Sequence, residues 1–255
     1  MKVDITYKCS MNCSHCLSNC DERGQHMTLD TFDKVIEFHR ENYQGYILLT
    51  GGEIFEHPQI KEFITKAAEN FETVMLLTNG QKISSDEELY NFVRDIILRH
   101  KGKILMQVTN DPRYYPQKLS PHQQTMLRKI GVKHIEPVQG LYPQGRALLN
   151  HKGANWLTIA PKCANVRLLA RQIYRYFNEI LEIMEQHGKY CTPTISPDGN
   201  IRLGESALCP ACANIDDSST DIVQKILAFK CTQCKIPLER LKKNNPTAYK
   251  MIEGD

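Results

Sequence analysis

What most narrows the fold is an alternation. Short β-branched or apolar runs, each closing on glycine or polar residues, are separated by longer stretches with helical apolar spacing. "VDITYKC" (3–9), "YILLTGGE" (46–53), "TVMLLTNG" (73–80), "KILMQVTND" (103–111) and "VKHIEPV" (132–138) read as strands. Between them "TLDTFDKVIEFHREN" (28–42), "PQIKEFITKAAENF" (58–71), "DEELYNFVRDIILRH" (86–100) and "SPHQQTMLRKIG" (120–131) read as helices, the second with Pro58 in its first turn. Repeated strand–helix units predict a parallel sheet of the α/β class. The strands end on Cys9, on Thr50-Gly51-Gly52-Glu53, on Thr78-Asn79-Gly80 and on Thr109-Asn110-Asp111. Parallel α/β barrels carry their reactive loops on that C-terminal edge, so all four groups are expected to face one cavity.

After residue 140 the pattern changes. A loop-like stretch leads to a long helix, "NVRLLARQIYRYFNEILEIMEQHG" (165–188), ended by Gly188. From Cys191 onward the chain reads as short hairpins and cysteine pairs, with "SPDGN" as a turn and "DDSST" (216–220) as an exposed one. The 32 basic and 29 acidic residues give a net charge of +3, which carries no signature of a nucleic-acid partner. The first cysteine arrives at residue 9, and no targeting segment or membrane span is expected ahead of it. A cytoplasmic, reducing setting follows as the expectation. There, ten cysteines in two clusters read as metal ligands more naturally than as disulfides.

"KCSMNCSHCLSNC" (8–20) holds the first cluster, Cys9-x3-Cys13-x2-Cys16. Three thiolates at this spacing can hold three irons of a cubane, which leaves the fourth iron open if Cys20 stays out. With Cys20 as a fourth ligand, the same run would instead build an ordinary electron-transfer cluster. The second cluster has two readings. Cys209-x2-Cys212-x18-Cys231-x2-Cys234 fits a tetrathiolate zinc ribbon, but leaves Cys191 unused.

Cys9-x3-Cys13-x2-Cys16 after the first strand, "TGGEIFEHP" (50–58) after the second and "LMQVTND" (105–111) on the fourth resemble the radical S-adenosylmethionine superfamily. The resemblance covers about residues 3–150. It implies a partial (β/α)6 TIM-like barrel over 1–150, a linker and long helix over 151–190, and a small cysteine-rich α+β domain over 191–255. It further implies a [4Fe-4S] cluster on Cys9, Cys13 and Cys16 that binds S-adenosylmethionine and cleaves it reductively. The 5′-deoxyadenosyl radical so formed abstracts hydrogen from a substrate. The implied cofactor-binding positions are Gly51, Gly52, Glu53, Thr78, Asn79, Thr109, Asp111 and Val138. His15 stands where the family usually has an aromatic residue.

"CTPTISPDGNIRLGESALCPACANIDDSSTDIVQKI" looks like the auxiliary-cluster domains called SPASM and twitch, and "YPQGRA" (142–147) is similar to a stretch these enzymes carry near the barrel's end. That likeness implies a second [4Fe-4S] cluster on Cys191, Cys209, Cys231 and Cys234, with Cys212 able to replace one of them and zinc as the alternative. Cys163 is a candidate hydrogen-atom donor. His57, His122, His134 and His151 show no spacing that suggests a metal site. The activity expected is oxidative modification of a peptide or protein, supplied with electrons by a flavodoxin or ferredoxin. The alternatives are a radical dehydrogenase of a small polyol or nucleotide-derived molecule, and a non-enzymatic zinc or iron–sulfur module.

Overall fold

Each strand puts alternate side chains on opposite faces, and one of those faces is uniformly aliphatic, so helices must cover it. The structure, a computed structural model, describes residues 1–42, 45–136, 145–150, 193–203, 209–229, 242–243 and 246. Its strands are β1 (Lys2–Thr6), β2 (Tyr46–Gly51), β3 (Thr73–Thr78), β4 (Ile104–Thr109), β5 (Ile135–Glu136), β6 (Pro193–Ile195), β7 (Asn200–Leu203) and β8 (Ala211–Asn214). They form one sheet in the order β5-β4-β3-β2-β1-β6-β7-β8. Strands β1 to β5 run parallel, and β6 joins the free edge of β1, also parallel, through Lys2↔Thr194 and Val3↔Ile195. The antiparallel β6–β7 and β7–β8 pairs carry the sheet on from there. This is an open, partial α/β barrel whose C-terminal hairpin continues its sheet.

The helices are α1 (Leu29–Asn42), α2 (Ile60–Asn70), α3 (Gln81–Ser85), α4 (Glu87–Arg99), α5 (Pro121–Lys129), α6 (Gly145–Leu149) and α7 (Ser219–Ala228). Their ends follow local chemistry. The Asp86 carboxylate caps α4 by accepting from the Leu89 N–H, with Glu87 and Glu88 in the first turn facing the positive end of the helix dipole. Ser120 and Gln123 form a reciprocal capping box at α5, with Pro121 just inside. Two details differ from the sequence reading. Pro58 lies ahead of α2, whose cap is Gln59, because the His57 imidazole Nδ1 accepts the Gln59 N–H and sets up a separate turn. Helix α3 was not foreseen, since one short turn carries too little periodicity to register.

On the covered face, Val3, Ile5, Ile47, Leu49, Val74 and Leu76 are fully buried against Phe32 of α1 and Phe63 of α2, whose rings stand 4.5 Å apart. On the other face the pairing aligns Arg202, Thr194, Lys2, Leu48, Met75 and Leu105 in one row across six strands. Leu105 is 43% exposed there. The open face thus passes from charged to apolar along the row. No helix among the described residues is long and apolar enough to cross a membrane. Replacing Phe63 with alanine should leave a cavity between α1 and α2 and cost about 3–5 kcal/mol in denaturant unfolding.

Candidate metal centre

The cysteine loop grows from the end of β1 and is closed at its base by the backbone. Cys9 N–H donates to Asp21 O (2.8 Å), and Asp21 N–H donates to Tyr7 O (3.2 Å). Asn12 and Asn19 turn the chain with φ of +45° and +56°, a region that asparagine tolerates better than most residues. Cys13 and Cys20 are buried, Cys9 and Cys16 half-buried, and all four are free thiols. The Glu56 carboxylate fastens the outer side, accepting from the Ser10 N–H and, at 2.6 Å, from its hydroxyl.

The two glycines after β2 serve the fold first. Gly51 has φ of +126°, and a Cβ there would stand 2.1 Å from Thr6 O; a Cβ on Gly52 would stand 2.1 Å from Lys8 O. With neither Cβ present, Gly52 N–H donates to Thr6 O (2.7 Å) and Glu53 N–H to Lys8 O (2.8 Å). The close approach expected toward a ligand is therefore also an approach to the root of the cysteine loop.

Glu53 is 1% exposed. Its Oε1 accepts from the Thr78 hydroxyl (2.6 Å) and the Phe55 N–H (3.1 Å), and its Oε2 from the Asn79 N–H (2.8 Å). Burial raises its pKa to about 7, opposed by these three donors. The folded protein thus holds this proton more tightly than an unfolded chain, and the group's contribution to stability falls as pH rises through the range up to about 7. Sequence reasoning placed Glu53, Thr78 and Asn79 on one edge, and the structure joins them in one network.

Past β4, the Asp111 carboxylate is 2% exposed and is gripped by Arg113, with Nε 3.0 Å from Oδ1 and Nη2 2.6 Å from Oδ2. The Tyr115 hydroxyl is hydrogen-bonded to the Thr109 side chain, and burial pushes its pKa up to about 12. The His15 ring packs against Tyr115 (5.1 Å between centroids) and Tyr114 (5.5 Å). Burial lowers the pKa of His15. Three aromatic rings therefore flank the cysteine loop where the family pattern led us to expect one. Tyr114, Tyr115 and Arg113 were not singled out from sequence, although two adjacent tyrosines directly after a ligand-type strand end were a usable signal, and Arg146 was marked only as part of "YPQGRA".

Burial pushes the thiol of Cys9 up to about 11, with Glu53, Glu56 and then Cys16 adding to it, and that of Cys13 up to about 12, with Cys9 and Cys16 adding to it. The three sulfurs therefore lie within electrostatic reach of each other. Cys16 goes the other way. Its sulfur accepts from the Cys20 side chain and from the Cys20 N–H (3.3 Å), which lowers its pKa, while the same contact and burial raise that of Cys20. Among the described residues, no three His, Cys, Asp or Glu side chains converge on a point that would hold a single metal ion. Three soft sulfur donors spread over one loop fit a multi-iron cluster that takes one thiolate per iron. The positive irons would supply the stabilisation that these buried thiolates lack by themselves.

In the C-terminal segment Cys209 is buried, its carbonyl accepting from Arg202 Nη1 (2.8 Å). The half-buried Cys212 donates its thiol hydrogen to Ile201 O. Val138, Cys163, Cys191, Cys231 and Cys234 lie outside the described residues.

Residues 3–99 match the family model described as the Radical SAM superfamily. A 109-residue stretch, 42% of this chain, is 27% identical to the antilisterial bacteriocin subtilosin biosynthesis protein AlbA of Bacillus subtilis (strain 168) and spans 23% of that relative's length. Among solved structures, Streptococcus suis SuiB bound to precursor peptide SuiA shares the fold with a TM-score of 0.56 at 13% identity, over 92% of this chain and 67% of that one. Native anSMEcpe with bound AdoMet and Cp18Cys peptide gives 0.52 at 14% identity, over 99% of this chain and 87% of that one.

Glu53→Gln tests the network at the root of the loop. An amide presents one acceptor oxygen where the carboxylate presents two, so a buried N–H or hydroxyl loses its partner. The expected cost is about 1–3 kcal/mol in denaturant unfolding of the cluster-free protein.

Proposed function

We propose, starting from the radical S-adenosylmethionine superfamily domain that residues 3–99 constitute, that this protein is a radical enzyme acting on a peptide or protein. The observation that carries this reading is the placement of Cys9, Cys13 and Cys16 on one loop whose root is hydrogen-bonded to the Gly51-Gly52-Glu53 turn. These three cysteines would hold a [4Fe-4S] cluster with one iron left for the amine and carboxylate of S-adenosylmethionine. When bound, the reduced cluster supplies the electron that splits S-adenosylmethionine into methionine and a 5′-deoxyadenosyl radical, which takes a hydrogen atom from the substrate.

The chain's own residues bind, orient and exclude water. Gly51 and Gly52 seat the turn against the root of the cysteine loop, and Glu53 keeps one acceptor position on Oε2 for the cationic amine. Thr109 and Asp111 are assigned to the ribose hydroxyls, with Arg113 holding the Asp111 carboxylate in place. His15, Tyr114 and Tyr115 form an aromatic wall suited to adenine, with Val138 opposite. A peptide or protein substrate is favoured by the relatives. One is named for bacteriocin biosynthesis, and two structures of the same fold hold peptides.

The finer reading is oxidative. Cys191, Cys209, Cys231 and Cys234 would hold a second [4Fe-4S] cluster that accepts the electron left on the substrate as its proton departs. The Cys212 thiol, already donating to Ile201 O, is then spare. The enzyme would work in the cytoplasm with a flavodoxin or ferredoxin as donor.

Anaerobic reconstitution should yield about eight irons per chain. About four irons with one zinc would replace the second cluster by a zinc ribbon. After reduction the protein should form 5′-deoxyadenosine from S-adenosylmethionine, and its absence would remove the enzymatic reading. Cys13→Ala should abolish that product, Cys20→Ala should retain it, and Cys231→Ala should retain cleavage uncoupled from substrate turnover.

A further inference from the structure

The cysteine loop is held from a second side by a segment more than a hundred residues away in sequence. Helix α6 lies against it, and four hydrogen bonds run from α6 and the residue after it to carbonyls between residues 13 and 20. The Arg146 N–H donates to Cys16 O (2.8 Å). Its guanidinium donates from Nη1 to Cys13 O (2.8 Å) and from Nη2 to Cys20 O (2.6 Å). Asn150 Nδ2 donates to Ser14 O (2.8 Å). Gly145 makes the approach possible: its φ is +55°, and a Cβ there would stand 2.2 Å from Leu17 O and 2.6 Å from Cys16 O.

We propose that Arg146 is a positioning residue for the N-terminal cluster, clamping its loop and raising the reduction potential of the iron its cysteines hold. The inference rests on the radical reading above and adds to it a residue and a role.

The clamp needs arginine. A planar guanidinium presents two nitrogens in a fixed fork and can join two carbonyls, whereas an ammonium on a flexible stem is a point charge. Carbonyls left without a donor in a half-buried loop would turn toward water and carry the cysteines with them. Through Cys20 the grip reaches the sulfur ligand. Arg146 holds the Cys20 carbonyl while the Cys20 N–H donates to Cys16 Sγ, so residue 20 is fixed on both sides and keeps its N–H on the sulfur.

The potential follows from charge. Adding an electron to a thiolate-bound cluster makes it more negative, and nearby positive charge and N–H···S bonds both favour that state. Arg146 supplies the first and preserves the second.

The test compares reconstituted wild type with Arg146→Gln, Arg146→Lys and Asn150→Ala. One readout is the midpoint potential of the electron paramagnetic resonance signal that S-adenosylmethionine perturbs; the other is the rate of iron loss to a chelator. Arg146→Gln should shift the midpoint to a more negative value and release iron several-fold faster. Arg146→Lys should shift the midpoint less than Arg146→Gln, because the charge remains, yet release iron faster than wild type, because the fork is gone. Asn150→Ala removes one tie and no charge, so only its iron loss should quicken. A wild-type midpoint in Arg146→Gln overturns the electrostatic role, and wild-type iron loss in Arg146→Lys overturns the clamp. Should Arg146→Gln fail to fold, the other two variants decide: a midpoint that moves in Asn150→Ala overturns the assignment to charge. A wild-type protein that takes up no cluster at all overturns the radical reading itself, and this inference with it.

Discussion

The architecture of the centre depends on one close approach of backbone to backbone. Where β2 ends, Gly51 and Gly52 pass the end of β1 at a distance that no Cβ could share, and their neighbours' N–H groups bond to Thr6 O and Lys8 O. That contact makes the first residues of the cysteine loop a continuation of the sheet. It also delivers Glu53 to the end of β3, where Thr78 and Asn79 supply the donors that a buried carboxylate requires. A side chain at either glycine would separate the loop from the sheet and Glu53 from its partners together.

The electrostatics of the region follow from burial. Burial raises the pKa of Glu53 to about 7 against three donors, and burial likewise opposes ionisation of the Cys9 and Cys13 thiols nearby. Arg146 of α6 donates to carbonyl oxygens of the loop. Asp111 has a dedicated partner in Arg113, so the acid on β4 does not compete for Arg146.

Much of this was legible because strand and helix periods are local properties. The four helices read from the barrel half and the second to fourth strands fell within a residue or two of where they form, the first strand ends three residues sooner than read, and the polar ends of β1 to β4 do share one edge. The reading was helped by the open face. Strands buried on both sides give continuous apolar runs; here β2 and β3 each keep four apolar residues in a row, while Lys2 and Asp4 in β1 and Gln107 and Thr109 in β4 alternate with aliphatic residues. What sequence could not give were contacts between distant segments. Nothing in "GRALLN" signals that Arg146 reaches two carbonyls of a loop that begins at residue 8, nor that β6 docks on β1. Tyr115 is similar. It became meaningful only when the chain placed it against His15 and the Thr109 hydroxyl.

The fourth cysteine of the loop illustrates how geometry separates residues that spacing treats alike. Cys9, Cys13, Cys16 and Cys20 are equivalent as donors in the sequence, and any three could serve one cluster. In the fold, Cys20 is tied through its own backbone in both directions, N–H to Cys16 Sγ and carbonyl to Arg146, and its thiol leans on the same sulfur. Its hydrogen bonds lower the charge carried by Cys16 sulfur and stiffen the turn that presents it.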